Sequence, residues 1–165
     1  MRWFRFAVLI LLATLLQASF FTDWNIKPDL LLILLVFFAV YCNTSEAIIT
    51  SFTIGFAADL IGRTMGPQMI SFGLFGTALA YLHRVIAIRK MTYQFLAIFI
   101  TALLAGCLAH FLDFLKLTFL EDEPTTLNIN AVVFWTALYS SLAGPFLFLP
   151  SAWWMRIKIH RFSRR

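Results

Sequence analysis

Residues 55–67 read GFAADLIGRTMGP, and this stretch places two charged side chains, Asp59 and Arg63, in a chain otherwise rich in Leu, Phe, Ile and Ala. Hydrophobic residues form 61% of the 165 residues and charged residues 13%, with a mean hydropathy of +0.86. A chain this short cannot enclose so much apolar surface in a water-soluble core, and soluble domains carry about 25% charged residues. The sequence therefore predicts a helical integral membrane protein, folded as one domain over residues 1–165.

Apolar runs divide the chain into six predicted spans, because a helix needs about 20 mainly apolar residues to cross a bilayer. The predicted spans are residues 3–21, 28–41, 45–61, 67–82, 91–119 and 131–155, and several of them are short. The first follows a basic start but lacks a small-residue cleavage site, which favours a retained helix over a signal peptide. Cys42 and Cys107 have no spacing typical of a metal or redox site.

The distribution of Lys and Arg predicts the orientation. If both termini face the cytoplasm, ten of the thirteen basic residues lie on the cytoplasmic side, and only Lys27, Arg63 and Lys116 lie outside. Such an excess is the positive-inside pattern of membrane proteins. Because the basic residues cluster at the ends of apolar runs, their charge is explained without a nucleic-acid partner. We expect a bundle of about six short transmembrane helices with both termini cytoplasmic.

Asp59 has two interpretations. A carboxylate within a spanning helix costs about 2.5–3.5 kcal/mol on insertion scales, so such a group faces the bundle interior and marks a candidate substrate or proton site. Alternatively, Asp59 is structural: it pairs with Arg63 four residues later, or accepts backbone N–H bonds where GRTMGP turns. Gly62 and Gly66 favour the structural interpretation, because glycine adopts the positive φ angles of tight turns.

A second polar group lies near the end of the fifth predicted helix, where His110, Asp113 and Lys116 share one face. One His and one carboxylate are too few for a metal site. A proton relay is one interpretation of this group, and a polar stripe at the membrane boundary is the simpler one.

The sequence contains no nucleotide-binding, hydrolase or metalloprotease motif. We therefore expect no enzymatic activity, no catalytic or metal-binding residue and no cofactor.

The remaining candidate residues are structural or belong to a partner interface. Asp29 follows Pro28 at the start of the second predicted helix, where the helix dipole favours a carboxylate. Small residues let membrane helices approach closely, and Gly55, Gly73 and Gly76 lie on the third and fourth predicted helices, although Gly73 and Gly76 do not form a strict GxxxG.

Two runs, KPDLLLILLVFFAV and GFAADLIGRTMGPQMISFGLFGTALAYL, resemble the rod shape-determining protein MreD family. In that family a Pro-Asp or Pro-Asn opens an apolar second helix, and a G-x-x-x-D-L helix end precedes a small-residue turn. The matching residues are Pro28, Asp29, Gly55, Asp59, Leu60, Gly66 and Gly76, while Arg63 stands where a small or polar residue is expected. The resemblance covers roughly residues 27–82, and beyond it the length, the basic C-terminal tail and Pro145 also fit.

The resemblance implies a non-enzymatic protein of the bacterial inner membrane that takes part in cell elongation. Its direct partner would be MreC, and the wider complex would link MreB filaments to RodA and a class B penicillin-binding protein for peptidoglycan synthesis. The family also implies a fold similar to the substrate-binding subunits of energy-coupling-factor transporters. The alternative function is a small-molecule binding subunit of a vitamin or metal transporter, which would need an outward-facing cavity with convergent polar groups.

Overall fold

The computed structural model describes residues 3–20, 28–61, 66–85, 91–120 and 129–155, and within these ranges the chain forms six α-helices and no strand. The prediction of an all-helical protein is therefore confirmed. The helices are α1 (Trp3–Phe20), α2 (Leu30–Tyr41), α3 (Thr44–Ile61), α4 (Pro67–Val85), α5 (Met91–Leu120) and α6 (Ile129–Met155).

The starts of α2 and α3 differ slightly from the sequence prediction. Helix α2 begins at Leu30 rather than at Pro28, because Asp29 has extended backbone angles and acts as the N-cap. Helix α3 begins at Thr44, and the carbonyl of Asn43 accepts the bond from the Ala47 N–H at 2.8 Å. Both differences are one or two residues long, and at α2 the cause is the cap supplied by Asp29.

Helix α2 lies at the centre of the bundle. Ten consecutive residues, 31–40, are buried, and α2 contacts all five other helices. Around it α1, α3, α4, α5 and α6 form a closed ring in which each helix contacts the next and α6 returns to α1. A helix that is apolar on every side is expected in a core, and LLLILLVFFAVY satisfies that description. Its 12 residues span about 18 Å, less than the roughly 30 Å of a bilayer core.

Aromatic rings join the central helix to α1 and α6. Phe38 packs edge-on against Phe6 of α1, with ring centroids 5.0 Å apart, and Phe37 packs against Phe148 of α6 at 5.5 Å. Edge-to-face pairs of this kind add to the energy of area burial. They hold particular faces of α2 against α1 and α6, which the uniform apolar surface of α2 alone would not specify.

Three helical segments in the described part of the chain are long and apolar enough to cross a membrane: Thr44–Ile61, Tyr93–Leu115 and Ala131–Trp154. Two shorter apolar helices are Trp3–Ser19 and Leu30–Tyr41. Large apolar side chains such as Phe4, Phe146 and Trp153 are exposed on the outside of the bundle. An apolar exterior is suited to contact with lipid rather than with water.

Candidate functional site

The carboxylate of Asp59 binds the N-terminus of the neighbouring helix α4. Asp59 is only 3% exposed, and its Oδ2 accepts hydrogen bonds from the backbone N–H groups of Gly66 at 3.0 Å and Met69 at 2.9 Å. Its Oδ1 accepts from the N–H of Gln68 at 3.0 Å. The first N–H groups of a helix have no partner within the helix and carry partial positive charge. Asp59 therefore acts as an N-cap supplied by a different helix.

The residues between α3 and α4 fit this capping geometry. Gly66 has φ +114°, a value that glycine adopts without steric cost. Pro67 begins α4 at the position where a missing N–H costs nothing, which leaves the next two N–H groups for Asp59. Arg63 lies outside the described residues, so its pairing with Asp59 stays a prediction. The three backbone bonds engage both carboxylate oxygens.

Gly55 allows α3 and α4 to touch along their backbones. A Cβ atom added to Gly55 would lie 2.7 Å from the Cα of Met69 and 3.0 Å from the carbonyl oxygen of Gln68. The neighbouring atoms belong to the backbone of α4, so no change of rotamer could make room. Close approach through small residues is how membrane helices gain packing energy. It also brings Asp59, four residues further along α3, within reach of the α4 N-terminus.

Gly73 and Gly76 continue the same interface on α4. An added Cβ at Gly73 would collide with the ring of Phe52, and one at Gly76 would collide with the side chain of Ser51. Both glycines are buried, and their partners belong to α3. These glycines therefore lie in the contact between α3 and α4.

Asp29 lies at a second polar junction, which joins α1, α2 and α6. Its Oδ1 accepts from the backbone N–H groups of Leu31 and Leu32 at 3.1 Å each, and from Nε2 of Gln17 at 3.3 Å. The N–H of Asp29 donates to Oγ of Ser140 at 2.8 Å. Pro28 precedes this junction and is half-buried. The side chain of Asp29 thus caps α2, and its backbone anchors that end to α6.

The opposite end of α2 carries a hydrogen bond and a half-buried thiol. Nε2 of Gln94 in α5 donates to the hydroxyl oxygen of Tyr41 at 2.9 Å. Cys42 follows Tyr41, and burial raises the pKa of its thiol to about 11, with a smaller contribution from the Glu46 carboxylate. A thiol with so high a pKa is protonated at neutral pH and is a weak nucleophile.

The second polar group predicted from the sequence is only partly described. His110 and Asp113 are half-buried on α5, and the side chain of Lys116 lies outside the described part of the structure. Among the residues that the structure describes, no group of three or more His, Cys, Asp or Glu side chains comes close enough to hold a metal ion.

A family model described as rod shape-determining protein MreD matches residues 1–158 of the chain. The chain belongs to the MreD family. The resemblance noted from the sequence is thereby confirmed and extends over nearly the whole chain rather than residues 27–82 alone. Neither the curated proteins nor the solved structures include a match. Membership suggests a role in determining rod shape, and the family is one of membrane proteins without known enzymatic activity.

Sequence reasoning overlooked two members of the Asp29 junction. Gln17 is the one amide side chain in the apolar helix α1, and Ser140 begins the pair Ser140-Ser141 in α6. An isolated polar residue in an apolar helix is a usable signal, since it needs a partner in lipid. The signal does not identify the partner, because Gln17 is 12 residues from Asp29 along the chain and Ser140 is 111 residues from it.

Proposed function

We propose that this protein is a non-enzymatic assembly subunit of the bacterial rod complex, located in the inner membrane. In this role it binds MreC and helps to couple MreB filaments to RodA and a class B penicillin-binding protein. The observation that carries the proposal is the match of the MreD family model to residues 1–158. The binding partners and the coupling role are our inference from that membership.

The arrangement of polar groups supports a structural role. Asp59 and Asp29 both cap helices, and the buried hydroxyls of Ser51, Ser71 and Ser151 donate to carbonyl oxygens of the preceding helical turn. Each of these groups already has a hydrogen-bond partner within the fold. The exposed faces of the described helices carry many large apolar side chains, such as Phe52, Phe56 and Leu60 on α3. Apolar helix faces are what other membrane proteins would contact.

The proposal includes a topology of six spans with both termini in the cytoplasm. Its support is the ten-to-three distribution of basic residues and the ring of helices around α2. A fold similar to the substrate-binding subunits of energy-coupling-factor transporters belongs to the same proposal.

Single cysteines placed at residues 25, 64, 88 and 125 of a cysteine-free chain test the topology with a membrane-impermeant maleimide. Cysteines at residues 25, 64 and 125 should react with the reagent from outside the cell, and a cysteine at residue 88 should not. Labelling of residue 88 in intact cells would contradict the six-span topology.

The alternative, a vitamin- or metal-binding transporter subunit, has less support. A cavity of about 280 Å³ between α1, α2 and α6 is lined almost wholly by apolar side chains. This cavity has no set of converging polar groups that could bind a polar vitamin or a metal ion. Pockets for such molecules depend on a few well-placed polar groups. Genes for an ATPase beside this one would favour the transporter, and genes for MreB and MreC would favour the rod complex.

Depletion and complementation test the proposed function. Cells that depend on this chain should lose rod shape when it is depleted, because wall synthesis along the sidewall would stop. Expression of the wild-type chain should restore rod shape and sidewall synthesis. Cell width and incorporation of a fluorescent cell-wall precursor are the measurements. Normal rods with unchanged sidewall incorporation after depletion would overturn the proposal.

Variants of the α3–α4 interface link packing to that function. Gly73→Leu and Gly76→Leu should reduce recovery of the complex and disturb rod shape, because both positions abut α3. Leu74→Ala changes the opposite, exposed face of α4, since Leu74 is 54% exposed, and tests whether that face contacts a partner. Unchanged recovery of the complex and normal rods in both glycine variants would contradict the importance of this interface.

A further inference from the structure

A lateral cleft opens on the outside of the bundle between α1 and α6, with α2 as its floor. This is the cavity of about 280 Å³ described above. Leu12 and Leu16 form one wall, Pro150 and Trp153 form the other, and Leu34 lies at the base. The volume approaches the roughly 300 Å³ at which small-molecule pockets begin. The cleft is thus large enough for part of a flexible chain.

The polar atoms of the cleft are already engaged within the protein. The hydroxyl of Ser151 donates to the carbonyl oxygen of Leu147 at 2.8 Å, and Nε1 of Trp154 donates to the carbonyl oxygen of Arg5 at 3.2 Å. An occupant would therefore meet a hydrocarbon surface. A polar ligand would have to lose its hydration without gaining hydrogen bonds, which is costly.

Positive charge lies at one end of the cleft. Nη1 of Arg5 donates to the carbonyl oxygen of Trp154 at 3.5 Å, so the guanidinium lies beside a residue that lines the cleft. Basic groups between membrane helices attract anionic lipid headgroups.

We propose that this cleft binds one acyl chain of an anionic phospholipid, whose phosphate lies beside Arg5. The occupant is a lipid rather than a helix because leucine and tryptophan dominate the walls, whereas helices pack closely on small residues. An acyl chain gains little hydrophobic energy on leaving a bilayer that is equally apolar. Selectivity must therefore come from the charge at the Arg5 end, and it favours anionic over zwitterionic lipids.

Native mass spectrometry of the purified chain tests the selectivity. The chain is titrated with phosphatidylglycerol or with phosphatidylcholine of identical acyl chains, and the first bound lipid is quantified. Phosphatidylglycerol should bind more tightly, and Arg5→Gln should weaken it by about fivefold, the effect of removing one basic residue near a membrane surface. Arg5→Lys should restore most of the affinity. The Trp154 indole bond survives in both variants, because its acceptor is the Arg5 backbone.

A second pair of variants tests the location. Leu12→Trp would fill the cleft from its exposed side and should reduce binding of phosphatidylglycerol. Leu15→Trp makes the same change on the same helix, at a residue that is 60% exposed and is not among the cleft-lining residues, and should not reduce binding. Equal binding of the two lipids, or equal effects of the two tryptophan variants, would overturn the proposal.

Photo-crosslinking identifies the occupant in native membranes. A benzophenone amino acid at position 12 should attach to phospholipid and add a lipid mass to the chain. A crosslink to a second copy of this chain or to another protein, with no lipid adduct, would show that a helix fills the cleft and would refute lipid binding there.

Discussion

Replacement of Asp59 by alanine should destabilise the bundle more than any ordinary cap substitution. The change removes the acceptor of three backbone N–H groups, those of Gly66, Gln68 and Met69, at a position only 3% exposed. Loss of an ordinary N-cap costs about 0.5–2 kcal/mol. A buried donor left without a partner costs about 1–3 kcal/mol. We expect a loss of about 3 kcal/mol, less than three full penalties because the turn can relax towards water.

The asparagine variant should lose about half as much. Two of the three N–H groups share Oδ2, so an amide oxygen placed there keeps the bonds from Gly66 and Met69. The amide NH₂ then faces the N–H of Gln68, and one donor loses its acceptor. The order of stability should therefore be wild type, then Asp59→Asn, then Asp59→Ala.

Unfolding with sodium dodecyl sulfate in mixed micelles measures these differences through the fluorescence of the five tryptophans. Leu60→Ala is the control, since Leu60 is adjacent to Asp59 and 57% exposed. An Asp59→Ala variant within about 0.5 kcal/mol of wild type, the range of surface substitutions, would refute the capping role. Loss of rod shape in Asp59→Asn cells with full protein levels and intact partner binding would show that Asp59 does more than stabilise the fold.

Three further outcomes follow from the packing. Gly55→Ala should cost about 1–3 kcal/mol in the same unfolding assay, because its Cβ would press on the Met69 backbone; wild-type stability would contradict this contact. Ser140→Ala should cost about 1–3 kcal/mol, because the Asp29 N–H loses its acceptor; an unchanged midpoint would place another acceptor there. The thiol of Cys42 has a pKa of about 11, so in a chain whose other cysteine is replaced by serine it should react with maleimide at pH 8 more slowly than in the unfolded chain. Its rate should rise as the pH approaches 11, and equal rates for the folded and unfolded chains at pH 8 would refute the raised pKa.

The helical architecture could be predicted from local pattern because lipid imposes it. A run such as LLLILLVFFAVY has no polar face, so it predicts a helix buried on every side. The Pro28-Asp29 pair marked the start of that helix, and the structure moves the first helical residue only to Leu30. Which helices surround α2 could not be predicted, since near-uniform apolar faces give no preferred rotation.

The hydrogen-bond partners of Asp59 could not be predicted from the local sequence pattern. The sequence left open a functional site, a pair with Arg63 and a set of backbone bonds. The bonds that the structure describes come from residues seven to ten positions downstream, and they require α4 to pack against Gly55. Gln17 and Ser140 were missed for a similar reason, because tertiary packing alone brings them to Asp29.

The measurement that tests the proposed function most directly is affinity purification of the tagged chain from detergent-solubilised membranes, followed by mass spectrometry of the proteins that accompany it. Membership of the rod complex predicts recovery of MreC together with RodA and a class B penicillin-binding protein. A tagged unrelated membrane protein should recover none. Recovery of an ATPase pair and a coupling subunit, without any wall-synthesis protein, would contradict the assembly role and support a transporter.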